Sequence, residues 1–278
     1  MGWGEGVTDV IDACELVSPV EFYEPMADGY DDEFEAAHRR AYDDLAWERV
    51  LALLGDRPQR VVDAGCGTGR LAARLVASGH EVLGLEPTPS MADAASARWM
   101  ADRFELQRAG IEDAVVEPGS ADLVMAMGSV QFTADPIASV RRMAHWVRPG
   151  GHLLVLCDSL TALVHELIRR GDVDQALERG RTRRARWVRG DLAVEHHLLD
   201  TVRLRGSFLS AGLEQVSVSG LLVAFTTMGR DEWMRAATEH HAELIDLERD
   251  LSRIEEMADS GKQLLAVGRV PGPVTRDG

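Results

Sequence analysis

The sequence predicts an α/β protein built on a doubly wound, mostly parallel sheet, and three observations carry that prediction. From Arg60 onward, short apolar runs of strand length alternate with amphipathic stretches of helix length. The first of those runs ends in a glycine-rich turn that opens onto a helical pattern. No internal repeat or low-complexity linker breaks the chain, and its 278 residues suffice for one sizeable core, or one domain with an insertion.

The elements follow in order. VTDVIDACEL sets Val7, Val10, Ile11 and Cys14 at helical spacing before Ser18-Pro19 ends the pattern. This short amphipathic helix must cover a surface, either on its own domain or on a neighbouring subunit of a homo-oligomer. More helix is expected from Glu21 to Leu54. Then come RVVDAG and GRLAARLVASG, HEVLGLE and PSMADAASARWMA, ADLVMAMG and DPIASVRRMAHWV, and GGHLLVLCD after the turn Arg148-Pro149-Gly150-Gly151. In such a sheet, ligands sit beyond the carboxyl ends of the strands, near the switch in strand order.

Composition narrows the function. A formal net charge of −16 disfavours a polyanion, so nucleic acid is not the expected partner. Three scattered cysteines give neither a disulfide framework nor a cysteine zinc site, and no metal is expected. A cytoplasmic location fits. The opening MGWGEGVTDV lacks a basic n-region and an apolar h-region, and no apolar stretch is long enough to span a bilayer, so no membrane is expected.

The turn itself reads VVDAGCGTGR over residues 61–70. A dinucleotide fingerprint would be G-x-G-x-x-G; here Gly65, Gly67 and Gly69 form G-x-G-x-G, and position 70 is arginine. Asp63, at the strand end, would repel a pyrophosphate but suits a ligand bearing an ammonium group. Twenty-three residues later the second strand ends in Glu86, placed to accept hydrogen bonds from both ribose hydroxyls. A ligand with an amino-acid end and a nucleoside end is S-adenosylmethionine.

With DAGCGTG, LEPTPSM, AGIEDA, ADLVMAMGSVQF and VRPGGHLLV in order, the chain resembles a class I S-adenosylmethionine-dependent methyltransferase over about residues 20–158. KQLLAVGRV (262–270) resembles that family's antiparallel last strand. The resemblance implies a Rossmann-like, seven-stranded sheet with S-adenosylmethionine as cofactor. It implies that Gly65, Cys66, Gly67 and Gly69 line the methionine part, that Glu86 holds the ribose, and that Met91 packs on the adenine. Ile111 and Glu112 fall at the adenine edge and Met127 beside the sulfonium. The family often carries an aspartate where this chain has Gly110, which shifts adenine recognition to Glu112, Asp113 and main-chain groups.

The stretch EFYEPMADGYDDEFEAAHRR resembles the family's N-terminal lid, with Tyr23 and Tyr30 near the sulfonium, where a cation–π contact is worth roughly 1 kcal/mol. Arg39 stands where related enzymes reach the methionine carboxylate. Methyl transfer is an in-line displacement, and a base is needed only if the acceptor must lose a proton. The candidates for that base are Gln131, Asp158, His165, His196 and His197, while His145 reads as surface.

About forty residues, SLTALVHELIRRGDVDQALERGRTRRARWVRGDLAVEHHLLD, follow the fifth strand, and in the family such insertions form a lid over the acceptor. Its ERGRTRRAR reads as a solvated helix face. The chain thus divides into N-terminal helices and lid (1–55), a cofactor-binding core (56–158), a cap insertion (159–200) and a C-terminal completion with late helices (201–278).

The expected activity is methyl transfer to a small-molecule acceptor, an aromatic or isoprenoid secondary metabolite given Phe132, Trp187, Phe208, Phe225 and Trp233. The late helices MRAATEHHAELIDLERDLSRIEEM and the arginines also resemble bacterial enzymes that methylate the carboxyl group of a modified tRNA wobble uridine. A broad basic track, which RNA binding requires, is missing. A third reading is a cofactor-binding protein without catalysis.

Overall fold

The structure, a computed structural model, describes residues 14–98 and 101–272. In chain order the elements are β1 (Glu15–Leu16), α1 (Pro19–Tyr23), α2 (Ala37–Leu53), β2 (Arg60–Ala64), α3 (Arg70–Ala77), β3 (Glu81–Leu85) and α4 (Pro89–Ala97). They continue with β4 (Phe104–Gln107), β5 (Ala121–Met127), α5 (Pro136–Trp146), β6 (Val147–Asp158), α6 (Leu160–Arg169), α7 (Val173–Thr182), β7 (Arg184–Arg189) and β8 (Leu192–His197). The chain closes with α8 (Thr201–Ser210), β9 (Glu214–Leu221), α9 (Val223–Met228), α10 (Arg230–Glu239), α11 (His241–Leu251) and β10 (Gln263–Arg269).

Seven strands form one sheet in the order β4-β3-β2-β5-β6-β10-β9. β10 runs antiparallel to both its neighbours, and the pairs from β4 to β6 are parallel. This is the doubly wound, Rossmann-like sheet expected, with the chain reversing its direction of travel between β2 and β5. Residues of one strand feed opposite faces, as the pleat requires. Val61 packs with Leu123 and Met125 beneath α2 and α3, whereas Val62 and Ala64 pack with Val124 and Ala126 on the other side. Burial on both faces explains why these strands read as unbroken apolar runs.

A second, three-stranded sheet, β1-β8-β7, stands over the carboxyl ends of the first. It corrects one expectation: the amphipathic helix expected around Val7–Cys14 lies almost wholly outside the described residues, and its tail Glu15–Leu16 is a strand, not a helix. The Glu15 N–H donates to Asp191 O at 2.8 Å and the Val17 N–H to Ala193 O at 2.9 Å, because the edge of β8 offers ladder partners there. The expected oligomer through that helix also falls outside the described residues.

The cap corrects a second expectation. ERGRTRRAR is not one helix face. Its first part ends α7, Arg183 turns the chain in the left-handed region (φ 56°), and its last part is β7. Arg179 is buried against Glu178, Arg183 pairs with Asp200, and Arg184 lies 3.6 Å from Glu195.

Candidate active site

The glycine turn begins where β2 ends. Gly65 has φ 88°, open to glycine at no cost, and a Cβ there would stand 2.4 Å from the Cβ of Ser129. The Gly65 and Cys66 N–H groups both donate to Leu85 O, at 2.8 and 3.0 Å, pinning the turn to the end of β3. Glu86, the next residue, is buried. Its Oε2 accepts the Gly67 N–H at 3.0 Å and its Oε1 the Thr88 N–H at 2.8 Å.

Two neighbouring cavities open over this turn. The larger, about 310 Å³, runs over Glu86, Met91, Ile111 and Glu112, with Val20 and Tyr23 of the N-terminal segment on its far side. The smaller, about 110 Å³, is lined by Arg39, Asp63, Cys66, Gln131, Asp158 and Trp187. Tyr23, Tyr30, Gly65, Gly67, Met127 and Gly128 border both, so the two cavities adjoin.

Asp63 projects into the smaller cavity. It is 2 % exposed, and its Oδ2 has no hydrogen-bond partner. Burial, with the nearby Glu86 adding and Arg70 opposing, pushes its carboxyl up to about 7. A buried acceptor without a donor fits a ligand that brings an N–H, such as an ammonium group. The larger cavity pairs a carboxylate at the β3 end with apolar walls, which fits a ribose and a base. The residues present therefore suit S-adenosylmethionine at both of its ends.

The N-terminal segment walls both cavities through Tyr23 and Tyr30. Phe22 and Met26 cluster with Met91 of α4 and Val194 of β8, joining lid, core and cap. The Thr68 Oγ1 donates to Asp31 at 2.7 Å, Arg98 reaches Asp31 as well, and Arg189 of β7 meets Glu33 at 2.8 Å. Burial raises the phenols of Tyr23 and Tyr30, the latter to about 12, so both stay neutral and neither can serve as a base at physiological pH.

The sequence-selected residues converge with few exceptions. Gly69 borders neither cavity: at φ 77° it starts α3, and its N–H bonds Cys66 O at 3.0 Å, so it shapes the turn from behind. Gln131 is fully buried in the smaller cavity, but its Oε1 is committed to the Asp158 N–H at 2.8 Å. His196 borders neither cavity. Its Nε2 lies 3.4 Å from Asp158 Oδ2, directly behind it. His165 is exposed on α6, and His197 bonds the Ala134 main chain with Arg184 nearby, away from both cavities. Of the aromatics, Phe132 and Trp187 reach the site, whereas Phe208, Phe225 and Trp233 are core.

Residues that sequence reasoning missed include Ser129, whose Oγ donates to Ala64 O, and Gln263, which faces the smaller cavity with its Oε1 unpartnered. Lys262, the chain's only lysine, is buried with its Nζ 4.9 Å from the Phe225 ring. Burial, reinforced by Arg39 and opposed by Asp158, draws its ammonium down to about 8. Among the described residues no group of His, Cys, Asp and Glu is arranged to hold a metal, and no helix is long and apolar enough to cross a membrane.

Comparison with known proteins agrees with this geometry. Residues 62–155 match the family model described as a methyltransferase domain. The tRNA 5-carboxymethoxyuridine methyltransferase of Escherichia coli K12 is 28% identical over 127 residues, 44% of this chain, and the match spans about half (49%) of that relative's length. The ubiquinone biosynthesis O-methyltransferase of Ralstonia nicotianae is 30% identical over 200 residues, 68% of this chain and 76% of that protein. Phosphoethanolamine N-methyltransferase 2 of Haemonchus contortus, solved with S-adenosyl-L-methionine, has a TM-score of 0.59 over 92% of this chain and 60% of that one, and at 16% identity it shares the fold. From the match to more than two thirds of a curated relative, and from a sheet and turn of this form, the chain belongs to the class I S-adenosylmethionine-dependent methyltransferases.

Proposed function

We propose that this enzyme methylates a small-molecule acceptor whose reacting end is aromatic. The observation that carries the reading is the pair of aromatic side chains, Tyr23 and Trp187, that line the smaller cavity together with Asp63 and Arg39, so that only the reacting end of the acceptor would enter there, beside the methionine end of the cofactor. S-adenosylmethionine supplies an activated methyl group on a sulfonium. Asp63 would hold its ammonium and Arg39 its carboxylate, while Glu86 would take the ribose hydroxyls and Met91, Ile111 and Glu112 would surround the adenine. Tyr23, Tyr30 and Met127 would border the sulfonium. The protein's contribution is then alignment in a chamber from which water is excluded.

The relative named for O-methylation in ubiquinone biosynthesis supports a small, ring-bearing acceptor. The relative named for tRNA supports the second reading, but the cap's arginines weigh against it. Arg183, Arg184 and Arg189 already face Asp200, Glu195 and Glu33, so that of the arginine-rich stretch Arg181 and Arg186 remain as the exposed charges for phosphates. Calorimetric titration of the enzyme loaded with S-adenosylhomocysteine tests this directly. Bulk tRNA at two salt concentrations should give no heat, and a library of aromatic acceptors should yield product. Salt-sensitive tRNA binding would reverse the order of the two readings.

A further inference from the structure

Asp158 ends β6 at the wall of the smaller cavity, its side chain 6% exposed and its Oδ2 without a hydrogen-bond partner. Across the β6–β10 register its partner is Gln263, which lines the same cavity and whose buried Oε1 is also unpartnered. Behind Asp158 the His196 ring is 1% exposed, wedged 5.1 Å from Trp187 and 5.7 Å from Phe132. Neither His196 nitrogen has a hydrogen-bond partner, and the 3.4 Å between Nε2 and Asp158 Oδ2 lacks the alignment of a bond. Burying this many unfilled valences is costly unless a ligand fills them.

Resting on the small-molecule reading above, we infer that Asp158 is the proton acceptor for a neutral hydroxyl group on the acceptor, that His196 positions its carboxylate, and that Gln263 receives a second hydrogen bond from the bound molecule. The charge of the chamber selects the acceptor class. A carboxylate would need no base and would be repelled by Asp158. An ammonium group would bring a further positive charge beside Arg39, the nearby Lys262 and the sulfonium of the bound cofactor. A neutral hydroxyl adds no charge and gives the Asp158 carboxylate a donor from the cavity side.

The step balances within these groups. The hydroxyl oxygen forms a bond to the methyl carbon as the carbon–sulfur bond breaks and its electron pair stays on sulfur, leaving S-adenosylhomocysteine. The hydroxyl proton becomes strongly acidic as the new bond forms, so a carboxylate is basic enough to take it, and it leaves later to solvent. His196 touches no reacting atom. It stands 3.4 Å behind the carboxylate, where a slight turn on acceptor binding would align the two as an orienting pair.

The test uses 4-methylphenol, benzylamine and benzoate, which at neutral pH are neutral, cationic and anionic at similar size. Each is titrated into the S-adenosylhomocysteine-loaded enzyme and then assayed with S-adenosylmethionine. The phenol should bind and be methylated in preference to the other two. Asp158→Asn should cut its turnover about 100-fold and weaken its binding, while S-adenosylhomocysteine affinity stays within about threefold. His196→Ala should lower kcat about tenfold with KM little changed, and His196→Gln, which restores an N–H behind the carboxylate, should recover most of the loss. Preference for benzylamine or benzoate, or wild-type turnover in Asp158→Asn, would overturn this inference while leaving the small-molecule reading intact. Methylation of tRNA with no binding of any probe would end both.

Discussion

The Glu86 carboxylate accepts the Gly67 N–H at 3.0 Å, so the end of β3 holds the glycine turn that follows β2. One buried acid thereby shapes the turn and also lines the larger cavity, with acceptor capacity left for the hydroxyls of a ribose. Glu86→Ala removes both tasks. It should weaken S-adenosylhomocysteine binding by about 1–3 kcal/mol, read by calorimetry, with the fold intact by circular dichroism. Unchanged affinity would remove Glu86 from the site.

Asp63 gives the site a pH dependence with a definite sign. Its folded-state pKa of about 7 lies above the ordinary 3.8, so the ligand-free protein keeps this carboxyl protonated where the unfolded chain would ionise it. An ammonium-bearing ligand binds the ionised form, so affinity for S-adenosylhomocysteine should rise with pH up to about 7 and level off above it. In Asp63→Asn the slope should vanish and binding should be weak at every pH.

The same shift makes a stability prediction. A raised carboxyl pKa in the folded state means that stability falls as pH climbs from the ordinary value of 3.8 toward about 7, and the loss is complete above that. Ligand-free Asp63→Asn should therefore melt at a higher temperature than the wild type in mildly alkaline buffer. An equal or lower Tm there would count against a buried, uncompensated carboxylate.

Gly65→Ala should fail for two separable reasons. The positive φ of 88° strains any side chain, and the new Cβ would meet Ser129 at 2.4 Å. Together these should cost about 1–3 kcal/mol in chemical denaturation and should disturb the turn that lines both cavities. Adding Ser129→Gly removes the clash but not the strain, so the double variant should recover part of the loss.

The lid rests on few bonds. Asp31 takes the Thr68 hydroxyl at 2.7 Å and the Arg98 guanidinium, tying the segment before α2 to the glycine turn. Asp31→Ala should speed S-adenosylhomocysteine dissociation by about tenfold in stopped-flow measurements, with the association rate little changed.

Much of this was legible in the sequence because the parallel strands are buried on both faces and because G-x-G-x-G, Asp63 and Glu86 sit at strand ends, where local pattern and ligand chemistry coincide. The edge strand β4 was not, since Phe104–Gln107 carries Glu105 and Gln107 and is too short and polar to stand out. The β7–β8 hairpin was hidden by its arginines, although Gly190-Asp191 between two runs of strand length is a hairpin signal. Period-2 alternation there buries Ala185 and turns Trp187 toward the site while Arg186 points outward. The meeting of Asp158 with His196 depends on the cap folding back over β6, and spacing along the chain carries no trace of it.

The most direct measurement follows the fate of a radiolabelled methyl group. S-adenosylmethionine labelled on that methyl is incubated with the enzyme, 4-methylphenol and bulk tRNA together, and the products are separated by size. A small-molecule methyl transfer puts the label in the phenol ether and none in tRNA, and that transfer is lost in Asp158→Asn. Label found in tRNA alone would contradict it.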